Sequence, residues 1–97
     1  MRYAIVFSVD AVDDFKALEA GKRSGIRKAI ETHLRHEPDK VSRSRIKKLR
    51  GVDRPHYRLR VGEHRIFFDV ADSTVEILAI VAKSEAESWL ARFRSSE

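Results

Sequence analysis

Residues 56–70, HYRLRVGEHRIFFDV, alternate apolar and polar side chains on both sides of the pair Gly62-Glu63. Glycine at the first position of a two-residue loop fits a type II′ turn, whose twist matches that of two antiparallel strands. The turn fixes the register: Val61 faces His64, Arg60 faces Arg65, Leu59 faces Ile66, Arg58 faces Phe67, Tyr57 faces Phe68 and His56 faces Asp69. Side chains alternate across a sheet. Tyr57, Leu59, Val61, His64, Ile66 and Phe68 therefore share one face, the expected core. His56, Arg58, Arg60, Arg65, Phe67 and Asp69 share the other. Opposed like charges such as Arg60 and Arg65 are destabilising, by an amount comparable to the roughly 0.2–1 kcal/mol of a favourable cross-strand pair. An anion on this cluster turns repulsion into charge-assisted hydrogen bonding, and the planar guanidinium fork suits phosphate. Phe67, on the same face, is expected to stack on a base. The competing reading has the arginines fanning into water or pairing with Asp69 and other carboxylates.

The rest of the chain supplies the layer that covers the core face. RYAIVFS, residues 2–8, alternates as a first strand. VDAVDDFKALEAG then shifts to helical spacing, with Ala11, Phe15 and Leu18 on one stripe, Asp10 as N-cap and Gly21 as the stop. GIRKAIETHLRHE continues as a second helix, with Ile26, Ala29, Ile30, His33 and Leu34 as its stripe and Pro38 beyond its end. Residues 38–54, rich in charge and poor in apolar side chains, read as a loop with a helical turn near 46–49. Strands follow at 56–61, 64–71 and 74–82. SEAESWLARFR closes the chain as a helix, with Ser84 and Glu87 in capping-box spacing. The order β-α-α-β-β-β-α predicts a single α+β domain over 1–97, a small antiparallel sheet with a helical hairpin packed on one face.

Charge distribution narrows the function. The net charge is +5 over 97 residues, but nine Lys and Arg lie between Arg43 and Arg65 against only Asp53 and Glu63. That segment carries +7 and the remainder −2, so the basicity is one patch, pointing to a polyanionic partner. Arg43, Arg45, Lys47, Lys48, Arg50 and Arg54 extend the cluster on the hairpin. The absence of cysteine excludes disulfides, thiol catalysis and thiolate metal sites, and fits a reducing compartment. No apolar run reaches the roughly 20 residues of a membrane span, and the N-terminus turns acidic too early for a signal peptide; the expected location is cytoplasmic. His33 and His36 are three apart on a helix without a third ligand nearby, so no metal site is expected. His64 reads as structural. Trp89, the sole tryptophan, is either a stacking platform or half-buried packing for the last helix.

KKLRG at 47–51, then HYRLRVGEHRIFFDV and VEILAIVAKSEAESWL, resemble the RelE/ParE superfamily of toxins from type II toxin-antitoxin modules over nearly the whole chain. The resemblance implies a RelE-like fold and, on the RelE side, ribosome-dependent cleavage of mRNA in the A site without metal or cofactor. The implied chemistry is attack of a nucleotide's 2′-hydroxyl on the adjacent phosphate, giving a cyclic phosphate and a free 5′-hydroxyl. Arg58 and Arg60 match the two alternating basic positions of that family, and Arg65 the phosphate-holding arginine of the next strand. Lys83 matches the basic residue assigned as acid to the leaving oxygen, a position often filled by Arg. Trp89 stands at the spacing of a stacking Tyr. An arginine, with a pKa above about 12, is a poor base, so Arg58 and Arg60 are expected to stabilise the transition state electrostatically. The resemblance further implies a RelB-like cognate antitoxin, the ribosome and mRNA as partners. ParE-like members instead inhibit DNA gyrase, and a non-catalytic RNA-binding relative is the third reading.

Overall fold

The computed structural model describes residues 1–93; Arg94, the last residue of the expected final helix, lies outside them. Five strands, β1 (Ala4–Phe7), β2 (Ile46–Lys48), β3 (Tyr57–Val61), β4 (His64–Ala71) and β5 (Thr74–Ala82), and three helices, α1 (Val9–Lys16), α2 (Ala20–Leu34) and α3 (Ala86–Ala91), form an α+β fold. The sheet order is β1-β5-β4-β3-β2. Four neighbouring strands pair antiparallel, but β1 runs parallel to β5, so the sheet is mixed. β1 comes first and its neighbour β5 last among the strands, with α1, α2 and three strands between them in sequence, so no short turn joins the two and a parallel pairing is open to them.

The β3–β4 register is the one that the turn dictates, from Tyr57 opposite Phe68 to Val61 opposite His64. Gly62 has φ +55° and Glu63 does not enter the positive region, the type II′ pattern. The main core forms where Ala11, Ile26, Ile30 and Leu34 of the helical hairpin meet Ile46, Leu59, Ile66, Phe68, Val75, Ile77 and Ile80 of the sheet. β5 carries a bulge: Phe67 faces Ala79 while Phe68 faces Ile77, leaving Leu78 as the extra residue. The bulge lets both Ile77 and Ile80 reach the core face. It also frees backbone groups of β5, and α1 satisfies them. The Ser8 hydroxyl donates to Leu78 O (3.1 Å) and Asp14 Oδ2 accepts from Ile80 N (2.9 Å).

Local boundaries differ from the sequence expectations for identifiable reasons. Ser8, not Asp10, caps α1, accepting from Ala11 N at 3.1 Å. The first helix stops at Ala17, and Gly21 sits in the first turn of α2 instead of ending α1. At the other end, a 3-10 turn over Lys83–Glu85 precedes α3, whose N-cap is Glu85 without a side-chain cap bond; the Ser84–Glu87 capping box does not form. Residues 46–48 are an edge strand, not a helical turn, held by Arg60 N donating to Arg45 O (2.9 Å) and Leu49 N donating to His56 O (2.8 Å).

Candidate nucleic-acid interface

The sheet face opposite the helical hairpin is divided by α3. Under that helix, Phe67, Ala79 and Leu90 form a second small core, packed by Leu49, Val52, Val81, Ala86 and Trp89. Phe67 is fully buried there, its ring stacked on Trp89 at 4.6 Å and 7°. Its expected role as a base-stacking surface is therefore corrected: the ring is covered by protein. Trp89 is half-buried on Phe67 and also touches Phe93 (4.6 Å), so its ring clamps α3 to the sheet. The packing alternative for this tryptophan describes its position.

Beside this small core stand the hairpin arginines. Arg65 is 7% exposed, and its Nη1 donates to the turn carbonyls of Gly62 (2.9 Å) and His64 (2.8 Å). It braces the turn and supports the cluster from beneath. Arg60, directly opposite, is exposed. Arg58 is half-buried, and its Nε is shielded from solvent without a hydrogen-bond partner among the described residues. Burial lowers its pKa, and the charges of Arg65 and Arg60 lower it further. Among the described residues no carboxylate pairs with any of the three; Asp69 is engaged elsewhere. Lys83, exposed at the end of β5, donates its backbone N–H to Glu63 O (2.7 Å), which brings it to the hairpin tip.

The basic segment before the hairpin disperses. Lys47 faces Arg58 across the β2–β3 ladder. It lines, with Lys48, Leu49, Arg50, Val52, Glu87 and Leu90, a hollow of about 260 Å³ between β2 and α3. Arg43 is exposed in the preceding loop. Arg45 turns the other way, into a hollow beside His33 on α2 and His36 just past its end, and burial together with the Arg45 charge lowers the pKa of His33. Arg54 is not part of a cationic surface: its Nε donates to Asp69 Oδ2 (2.6 Å) and its Nη2 pairs with Glu76. The Asp69 bond, partly offset by desolvation, raises its pKa. Asp69 also accepts from His56 N (2.5 Å) and lies 3.2 Å from His56 Nδ1. The sequence missed this anchor, although the hairpin register that sets His56 opposite Asp69 was its one signal. Asp69→Ala strips Arg54 Nε and His56 N of their acceptor. It is expected to lower the unfolding free energy by about 1.5–3 kcal/mol, the range for hydrogen bonds to charged groups, in urea denaturation; a change below about 0.5 kcal/mol would show the network to be idle.

Among the described residues no group of three or more His, Asp or Glu is placed to hold a metal ion, and no helix is long and apolar enough to cross a membrane. The chemistry within reach is that of guanidinium and ammonium groups on a phosphodiester: charge neutralisation, orientation and proton donation.

Known proteins share this fold. The toxin–antitoxin complex RelBE2 from Mycobacterium tuberculosis contains a chain similar in fold, with TM-score 0.69, 24% identity, and 84% of this chain and 99% of that one covered. A RelE–RelB complex from Pyrococcus horikoshii gives TM-score 0.69 at 22% identity over 86% and 97%. The YoeB dimer from Staphylococcus aureus gives 0.57 at 23% over 81% and 94%. No curated protein sequence matches the chain. Residues 5–87, however, match the family model described as the ParE toxin of the type II toxin-antitoxin system, parDE. The chain belongs to that family, and is a toxin of the RelE/ParE superfamily.

Proposed function

We propose that this toxin is a ribosome-dependent mRNA endoribonuclease, neutralised by a cognate antitoxin. The observation that carries the reading is the group Arg58, Arg60 and Arg65 on one sheet face, none of them in an ion pair among the described residues, joined by Lys83 at the hairpin tip. A 2′-oxygen attacks the neighbouring phosphorus as its proton passes to solvent. The P–O5′ bond breaks as Lys83 protonates the departing 5′-oxygen, leaving a 2′,3′-cyclic phosphate. Arg60 and Arg58 neutralise the charge that builds on the non-bridging oxygens, and Arg65 holds the turn that aims them. The antitoxin reading draws on the complexes with RelB among the similar structures and on the +7 segment, which suits an acidic partner segment.

Primer extension on a defined mRNA in ribosomes with an empty A site tests the reading. Cleavage within the A-site codon that requires ribosomes, and that falls sharply in Arg60→Ala and in Lys83→Ala, is the expected result. Intact mRNA with folded protein would remove it. The match to the ParE model favours a second reading, inhibition of DNA gyrase; there, supercoiling fails while translation continues, and the same two substitutions have little effect.

A further inference from the structure

The proposed cleavage uses the hairpin end of the basic face, but the cationic surface does not stop there. β2 is an edge strand, and its register sets Lys47 directly opposite Arg58. Ile46 points into the main core, so alternation turns Lys47 to the α3 side. Lys47, Lys48 and Arg50 are all exposed and border the hollow of about 260 Å³ with one carboxylate, Glu87, and with Leu49, Val52 and Leu90 as its apolar lining. Arg58 forms the junction. It stands two residues from Arg60 on the same strand face, a step of about 6.8 Å, and its buried Nε has no partner among the described residues. A buried guanidinium nitrogen left without an acceptor is costly unless a ligand supplies one.

We infer that the groove between β2 and α3 is a flanking-nucleotide subsite for single-stranded RNA. Lys47, which faces Arg58, holds with Arg50 the phosphate adjoining the scissile one, and Leu49, Val52 and Leu90 line the seat of its base. This rests on the endoribonuclease reading and extends it from one phosphate to two. Single-stranded RNA is the form that fits, because unstacked bases can enter a hollow that a duplex cannot. Lys47 and Arg50 act as positioning residues, since neither lies beside the reacting bond. Their loss therefore raises KM with little change in kcat.

The salt dependence of binding tests the subsite. A short 2′-O-methyl oligoribonucleotide, which lacks the attacking hydroxyl, is titrated by fluorescence anisotropy between 50 and 200 mM salt. Wild type is compared with Lys47→Gln/Arg50→Gln and with Lys22→Gln/Lys28→Gln, two exposed lysines on α2. Each phosphate contact contributes about 0.7 to the slope of log affinity against log salt for single strands. The groove variant is expected to have a slope shallower by about 0.7, so that wild type loses ~2.6-fold more affinity than this variant across that range. The α2 variant should keep the wild-type slope. An unchanged slope in the groove variant, while wild type still cuts mRNA on the ribosome, overturns the subsite and leaves the endoribonuclease reading standing. A wild type that neither binds the oligonucleotide nor cuts mRNA overturns both.

Discussion

Phe68→Ala is expected to lower the unfolding free energy by about 3–5 kcal/mol, the range for removing a buried aromatic side chain. Phe68 is fully buried at the centre of β4, faces Ile77 across the bulge, and stacks on Tyr57 with ring centroids 5.4 Å apart. Its neighbours are anchored on three strands and on the helical hairpin, so the cavity left behind cannot close by moving one element. A domain of this size has roughly 5–15 kcal/mol in all. The variant therefore sits near the threshold, with its Tm lowered by about 12 °C or more. Thermal denaturation followed by circular dichroism checks this; a fall of only a few degrees would mean that the two layers repack around the loss. Phe67→Ala removes the same ring from the other face, where the neighbours are the short α3 and the 49–52 segment. That smaller core collapses more readily, so the milder destabilisation is expected there.

The contrast between these adjacent phenylalanines also marks how far the sequence could be read. Alternation placed Phe68 and Phe67 on opposite faces, and the two-residue turn fixed which residue opposes which, because both depend only on local geometry. Whether the second face is open or covered depends on where α3 docks. That is a long-range fact about Leu90 and Trp89, so local alternation alone leaves Phe67 open to stack on a base. β2 was invisible for a related reason. Two of its three residues are lysines, so no apolar alternation announces a strand, and its pairing rests on backbone bonds to β3. The bulge at Leu78 is likewise decided by what receives its freed groups, and Ser8 and Asp14 lie about 70 residues away in the chain. Arg54 shows the opposite error. Sequence position groups it with the basic segment, yet Asp69 and Glu76, on strands far from it in sequence, neutralise it. The arginines of the hairpin itself were legible, because a type II′ register leaves Arg60 and Arg65 nowhere to go but opposite one another.

Arg58→Met should stabilise the fold and disable the toxin together. In the free protein Arg58 is a half-buried cation, with the charges of Arg65 and Arg60 acting against it and one nitrogen without a partner among the described residues. Methionine fills similar space with an unbranched apolar chain and removes both the desolvation cost and the like-charge repulsion. About 1 kcal/mol of added stability is expected, a Tm rise of roughly 4–8 °C for a domain of this size. In the ribosome assay the same change deletes a charge that is useful only when phosphate is present. A loss of about 10²–10³ in kcat is expected, the effect of removing one preorganised donor to a developing oxyanion. Arg58→Lys separates the two consequences. It keeps the charge and gains little stability, and it restores only part of the rate because an ammonium lacks the planar fork. If Arg58→Met were less stable than wild type, the arginine would be serving the fold through packing of its stem. If it were more stable and fully active, the site of phosphate neutralisation would have to lie elsewhere on the basic face. A stability gain coupled to a rate loss is the signature of a charge kept in an unfavourable place for the sake of its ligand.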